Sequence, residues 1–214
     1  MIKDSQYDYP VKVLNKAHAA GKLTPLGEDV RNRVLKIYAE AQYRGGELTQ
    51  KGFRQHEEIA TRMAHNFPEL FKQKGLKIDV LSSVIPRCIM SMAAFCDGLK
   101  TQNPTLKITR DASNAKMDQI HNLRTEWNPT LSNEVLSIIL GENNIWQQRL
   151  IEYEKEHIDF SRLLNNLFND QEYLRTNVNN RLFWRSLAEL TLNIQCLDIE
   201  DVSLYDIFTK DELY

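Results

Sequence analysis

Apolar residues recur at helical spacing in two early segments, and the same five-residue pattern introduces each of them. Leu-Thr-Pro-Leu-Gly at 23–27 and Leu-Thr-Gln-Lys-Gly at 48–52 both place a threonine where the N-cap of a helix belongs. Apolar side chains at every third or fourth position after each threonine indicate one buried helical face. The pattern predicts helices over about 24–44 and 50–66, each ended by glycine or proline.

The first 22 residues lack this regularity. Pro10 and Gly21 are strong breakers of helical structure, and the sequence between them predicts only a short helix over 11–20.

The period of the apolar positions changes after Gly75. A short segment containing β-branched residues predicts a strand over 77–83, and Pro86 is well placed for the first turn of a helix over 86–99. A second strand is predicted near 105–110. Strand, helix and strand within about 35 residues form a βαβ unit, which predicts parallel pairing with a right-handed crossover.

The second half of the chain is helical in pattern, nearly throughout 131–196, and the glutamates within 152–156 are interpreted as a solvated helix face. The change of period after Asp111 predicts two lobes, an α/β lobe over 1–112 and a helical one over 113–214. Two parallel strands make a poor sheet, because parallel sheets are normally larger and covered on both faces. Either the strands are misassigned, or the rest of the sheet lies outside this chain.

The amino-acid composition excludes fewer classes of function than the pattern of apolar positions does. A formal net charge of -2 argues against a nucleic-acid partner, which needs a basic excess, but a small anionic substrate needs only a local basic cluster. No apolar run is long enough for a membrane span, and the first residues show no signal-peptide core. The three cysteines are too few for a disulfide framework and are predicted to be buried thiols.

One segment carries candidate chemistry. Ser82-Ser83 ends the first predicted strand, and Arg87 falls in the first turn of the following helix. A helix start offers free N–H groups and positive potential, and a guanidinium fork suits phosphate oxygens. The pattern therefore suggests an anion site, although an arginine in the first turn of a helix is more often a solvated surface group.

Several segments resemble the histidine phosphatase superfamily, in the branch of acid phosphatases and phytases. Residues 82–92 (SSVIPRCIMSM) resemble its second motif block, and 46–52 (GELTQKG) resembles its Leu-Thr-x-x-Gly segment. The opening 7–10, the segment 23–27 and the stretch 113–118 are most similar to the multiple inositol-polyphosphate phosphatase subgroup. The resemblance is closest up to about residue 120.

The resemblance implies a histidine phosphatase-like α/β fold and hydrolysis of phosphomonoesters through a phosphohistidine. In that family an Arg-His-Gly motif supplies the nucleophile, and a late His-Asp or His-Ala-Glu motif supplies the proton donor. Neither occurs in the 214 residues; Arg44-Gly45-Gly46 lacks the imidazole. The chain is therefore predicted to be an internal fragment, inactive alone, with 1–112 a partial phosphatase core that lacks its first and last strands and 113–214 a partial helical cap.

The site residues carried over by the resemblance are few. Arg87 is expected to bind the transferred phosphoryl group, and His121 could approach the active cleft. No histidine pair has the spacing of a helical metal site, so neither a metal nor a cofactor is predicted. The expected partner is a small anionic phosphorylated substrate such as an inositol polyphosphate, and the family resemblance implies an exported, periplasmic or secreted protein.

Two other classes of function remain open. The chain could be a non-catalytic helical interaction protein derived from a phosphatase core, or a mutase-like enzyme that shares the fold. The exact substrate, its positional preference and the oligomeric state are not encoded in these patterns.

Overall fold

The computed structural model describes residues 4–120 and 145–213, which are mostly helical and include one small sheet. The helices are α1 (Asp4–Ala19), α2 (Pro25–Ala41), α3 (Gln50–Asn66), α4 (Pro68–Phe71), α5 (Pro86–Gln102), α6 (Met117–Ile120), α7 (Ile145–His157), α8 (Ser161–Leu167), α9 (Gln171–Asn177), α10 (Asn180–Asn193) and α11 (Lys210–Leu213). The strands are β1 (Lys77–Leu81) and β2 (Lys107–Asp111), and 3-10 turns cover Asn114–Lys116, Ile194–Cys196 and Tyr205–Ile207.

The two predicted threonine caps are both present. The hydroxyl of Thr24 accepts the N–H of Gly27, and that of Thr49 accepts the N–H of Gly52, each at 3.0 Å. Each bond satisfies one of the N–H groups that a helix start leaves without an intrahelical partner. The repeated sequence pattern therefore starts α2 and α3 by the same local mechanism.

The short helix predicted between Pro10 and Gly21 was wrong in length. Helix α1 has 16 residues and carries Pro10 in its interior. Proline inside a helix removes one backbone hydrogen bond and disfavours the preceding turn by about 3 kcal/mol. Tyr7, Leu14 and Ala17 are almost fully buried along α1, and burial of this apolar face outweighs the local penalty.

The chain forms two compact units, Met1–Gly46 with Leu150–Tyr214 (unit 1) and Glu47–Arg149 (unit 2). These units divide the chain at other places than the predicted lobes, 1–112 and 113–214. The lobes mark where the sequence pattern changes, whereas the units group helices that share a core. In unit 1, α1 packs on α2 and α10, and α2 packs on α8.

Unit 1 has a continuous apolar core with a cluster of aromatic rings. Phe168 meets Phe183 edge-on with ring centroids 5.6 Å apart, and Trp184 meets Phe208 at 5.8 Å. Within this unit the predicted solvated face of α7 is wrong at one position, because Glu154 is buried and pairs with Arg181. A buried carboxylate needs such a partner to offset its desolvation.

Unit 2 contains the predicted βαβ motif. Strands β1 and β2 pair in parallel, from Lys77 opposite Lys107 to Leu81 opposite Asp111, and α5 is the crossover helix between them. Helix α3 packs closely on α5, with Ala60, Ala64, Phe71, Leu99 and Leu106 forming the buried cluster. The fold is thus a small parallel α/β arrangement together with many helices.

A polar link in unit 1 joins the segment after α1 to the start of α9. Lys22 Nζ lies 2.6 Å from Asp170 Oδ2, and Asp170 Oδ1 accepts the N–H of Tyr173 at 2.9 Å. The hydrogen bond from Lys22, followed by that from the Tyr173 backbone, lowers the pKa of Asp170 below its usual range.

Asp170→Asn is therefore expected to lower the midpoint of thermal unfolding at pH 7, and to lower it less at about pH 3. The native pKa lies below the unfolded one, so the contribution of the carboxylate is complete above about pH 5 and is lost as the pH falls through the native pKa. Thermal unfolding at both pH values measures this. Asp201→Asn removes an exposed pair with Lys36 at 3.5 Å and is the near-silent control. An equal loss for Asp170→Asn at both pH values would contradict the electrostatic explanation.

Candidate functional site

The candidate site lies where β1 ends and α5 begins. The N–H of Ser82 donates to the carbonyl of Asp111 at 2.9 Å and so extends the sheet ladder by one residue. Ser82 is buried, and its hydroxyl donates to the carbonyl of Ser83 at 2.9 Å. These bonds fix the direction in which the chain leaves the sheet, at the edge where parallel α/β sheets bind ligands.

Helix α5 starts here without a side-chain cap. Its N-cap residue is Ile85, which offers no hydrogen-bonding side chain, and Pro86 occupies the first turn. The helix runs for 17 residues to Gln102, so its aligned peptide dipoles place positive potential at this uncapped end. Pro86 has no N–H, and the N–H of Cys88 donates to the carbonyl of Ile85 at 2.9 Å, so in the first turn the N–H of Arg87 is the backbone donor left for an anion.

Arg87 lies in this first turn and is half-buried. Its carbonyl accepts the Ser91 hydroxyl at 2.9 Å, but within residues 4–120 and 145–213 its guanidinium has no carboxylate partner. Several other arginines do pair with carboxylates: Arg33, Arg44, Arg162, Arg175 and Arg181. The fork of Arg87 therefore keeps its hydrogen-bonding capacity for a ligand.

Ser83 is a site feature that the sequence alone did not single out. Its hydroxyl oxygen is buried and has no hydrogen-bond partner in the described part of the chain. A buried hydroxyl without a partner costs about 1–3 kcal/mol, so such a group in the turn before Arg87 is well placed to serve a ligand. The only sequence signal was the pair of serines at the strand end, which does not show which of the two is left unpaired.

The end of β2 lies at the same edge of the sheet. The carboxylate of Asp111 accepts the N–H of Ser113 at 2.8 Å. Hydrogen bonds from the side chain and the backbone of Ser113 lower the pKa of Asp111, and the charge of Lys116 lowers it further. Asp111 is thus ionised and serves the local turn, with Lys116 offsetting part of its charge.

The remaining candidate residues either lie away from this turn or fall outside the residues that the structure describes. His121 falls outside the described residues, so its predicted approach to the cleft stays a prediction. His18 lies 2.8 Å from Glu28, and the ring of His157 packs in a tilted arrangement against Tyr153, with ring centroids 4.2 Å apart. The described residues contain no cluster of three or more side chains suited to hold a metal ion. None of the three cysteines, all of which lie in the described ranges, forms a disulfide; Cys96 is buried and the other two are half-buried.

A parallel strand pair, a tight serine turn and a helix without a side-chain cap define the chain as an α/β protein with a candidate anion-binding turn. A sequence model of the histidine phosphatase superfamily (branch 2) matches residues 33–191, well over half of the chain, and the chain belongs to that superfamily. The matched range includes the turn and Arg87. No curated protein matches the chain at a significant level.

The comparison confirms the superfamily and supports a phosphatase-type function in general terms. The closer resemblance to inositol-polyphosphate phosphatases and the assignment as a fragment stay predictions. No helix in the described ranges is both long and apolar enough to cross a membrane.

Proposed function

We propose that this chain is part of a histidine acid phosphatase that hydrolyses phosphomonoesters of inositol polyphosphates, and that Arg87 binds the phosphoryl group to be transferred. The observation that carries the proposal is the half-buried guanidinium without a carboxylate partner in the described chain, at the uncapped start of α5. Superfamily membership supports the reaction class.

Three groups at the turn have distinct tasks. The fork of Arg87 donates to two phosphoryl oxygens, and the start of α5 adds positive potential from the backbone. The Ser83 hydroxyl donates a further hydrogen bond, which relieves its unpaired state. Negative charge spreads over the phosphoryl oxygens during transfer, so such preorganised donors stabilise the transition state more than the ground state.

The reaction also needs a nucleophile and a proton donor for the leaving alkoxide. In the superfamily these come from the Arg-His-Gly motif and from the His-Asp or His-Ala-Glu motif, and the 214 residues contain neither. The chain by itself therefore binds a phosphoryl group without turning it over.

A second candidate is a non-catalytic interaction protein derived from the same core. A row of exposed apolar side chains on α3 and just after it favours this alternative: Ile59, Met63, Phe67 and Leu70. The coding sequence immediately upstream of Met1 separates the candidates. An Arg-His-Gly motif there, in frame or one frameshift away, favours the phosphatase, and its absence favours the interaction protein.

Purified residues 1–214 are expected to bind inorganic phosphate and to leave both phytate and a chromogenic phosphomonoester unhydrolysed. Arg87 provides binding, but with no nucleophile the covalent route is closed. Calorimetric titration with phosphate measures the binding, and a phosphate-release assay on the same sample measures hydrolysis.

Turnover that survives repurification and matches that of a full-length homologue would refute the predicted inactivity. Failure to bind phosphate would count against the role of Arg87. Extending the chain to include both missing motifs should restore hydrolysis, and phytate should then be a better substrate than the simple monoester if the inositol-polyphosphate assignment is right.

A further inference from the structure

Unit 1 contains a cavity of about 220 Å³ that none of the phosphoryl-binding residues line. Residues early in α1 and residues at the end of α2 form its walls: Tyr7, Asp8, Tyr38, Ala41, Gln42 and Tyr43. Three of these six side chains are phenol rings, and the only ionisable acid among them is Asp8. The lining of the cavity is thus largely aromatic and carries a single acidic group.

The three tyrosines differ in how firmly they are held. Tyr7 is 2% exposed and belongs to the core of unit 1, so its ring is a fixed wall. Tyr38 is half-buried and packs against the same core. Tyr43 is 88% exposed and stands at the rim. Burial, followed by the nearby Cys196, raises the pKa of Tyr7, so this phenol stays neutral.

The backbone at Tyr43 is in an unfavourable conformation. Its φ of 63° makes it the one residue other than glycine with a positive φ in the described part of the chain. A bulky side chain is rare in this region, and strained residues of this kind cluster at ligand sites. The chain therefore holds the large, exposed ring of Tyr43 beside the cavity, although glycine would adopt this backbone conformation more easily.

The electrostatics of the cavity favour a cation. Asp8 is half-buried, and its carboxylate has no hydrogen-bond or ion-pair partner among the described residues. The cavity also lies at the carboxyl end of the 17-residue helix α2, where the dipole is negative and the last turn has no basic residue. Arg44 is nearby in sequence, but Glu40 and Asp198 both pair with it.

We propose that this cavity binds an organic cation of the quaternary or methylated ammonium class. The faces of tyrosine rings attract such a cation, and the Asp8 carboxylate neutralises its charge. A neutral polyol would leave the carboxylate uncompensated, and a phosphorylated anion would be repelled by it. The site extends beyond the proposed phosphatase function and does not depend on it.

Calorimetric titration of the 214-residue chain with choline tests the proposal, and 3,3-dimethylbutan-1-ol serves as the neutral isostere. Choline is expected to bind at least about tenfold more tightly than the isostere, because only the cation gains from the rings and the carboxylate. Asp8→Asn keeps the shape of the side chain and is expected to weaken choline binding about tenfold.

Tyr43→Gly removes the rim ring and is compatible with the positive φ, so it should fold normally while weakening choline binding several-fold. Tyr43→Phe keeps a ring and should retain the affinity. Tyr205→Ala and Glu200→Gln change an exposed tyrosine and an exposed acid that do not line the cavity, and neither should affect binding.

Equal binding of choline and its isostere would overturn the proposal, as would unchanged affinity in Asp8→Asn. Tighter binding of myo-inositol than of choline would also overturn it and would assign the cavity to a neutral polyol. Absence of any choline binding to the wild-type chain would also overturn the proposal, whether or not the chain binds phosphate.

Discussion

Arg87→Ala is expected to lower kcat/KM for a phosphomonoester by about 100- to 1,000-fold, in a form of the protein that carries the Arg-His-Gly and proton-donor motifs. The substitution removes the one guanidinium that stands at the start of α5 without a carboxylate partner in the described chain. Because charge on the phosphoryl oxygens develops during transfer, the loss should appear mainly in kcat. Steady-state kinetics with phytate measures it.

Arg87→Lys should recover only part of the activity, since an ammonium cannot donate two parallel hydrogen bonds as the guanidinium fork does. Arg62→Ala is the matched control on α3, because its pair with Glu58 is exposed and 3.7 Å long. In residues 1–214 alone, Arg87→Ala should abolish phosphate binding, and Arg62→Ala should preserve it. A kcat/KM loss below about threefold for Arg87→Ala would end its assignment as a phosphate ligand.

Gly27→Ala is expected to destabilise unit 1 by about 3 kcal/mol. A Cβ at Gly27 would lie 2.1 Å from the carbonyl oxygen of Leu167, which is backbone and cannot rotate away. The same carbonyl accepts the N–H of Thr24 at 3.0 Å, and Leu23 and Phe168 pair beside it in an antiparallel bridge. A methyl group there must push the start of α2 off the end of α8.

Gly52→Ala is the matched control, because Gly52 holds the same position after its cap, Thr49, as Gly27 does after Thr24. The nearest atom to a Cβ at Gly52 is the end of the Leu48 side chain at 2.8 Å, which can move. Its effect should stay within about 1 kcal/mol, because alanine also raises helix propensity. Urea unfolding followed by circular dichroism compares the two variants, and equal midpoints would disprove the predicted clash.

Local signals were sufficient to predict several elements. The threonine caps act across three residues, and the βαβ motif follows from a change of period within a short segment, so both could be predicted without tertiary information. The turn from Ser82 to Arg87 was found for the same reason, because a strand end and a helix start are adjacent there. The resemblance that identified the superfamily depends on this turn and on the segment around Thr49.

Pro10 and Glu154 show where local reasoning failed. A proline in the middle of a segment predicts a break, yet α1 continues through Pro10 because its apolar face is buried in unit 1. Glu154 belongs to a row of alternating glutamates that predicts a solvated surface, yet it is buried against Arg181 on α10. In both cases a distant partner supplies a free energy that no nearby residue reveals.

For the candidate sites, too, some features follow from the sequence and others only from the tertiary structure. The sequence by itself placed Arg87 at a helix start, but only the tertiary structure decided that no described carboxylate pairs with it and that Ser83 is left unpaired. The tertiary structure also decided that Tyr7 and Tyr43 line one cavity.

Gly27 and Gly52 occupy the same local sequence pattern, yet a Cβ at Gly27 would meet rigid backbone and a Cβ at Gly52 would meet a movable side chain. Local sequence determines how a helix starts, because the capping groups are close along the chain. What the helix then packs against depends on long-range contacts, which the tertiary structure alone specifies.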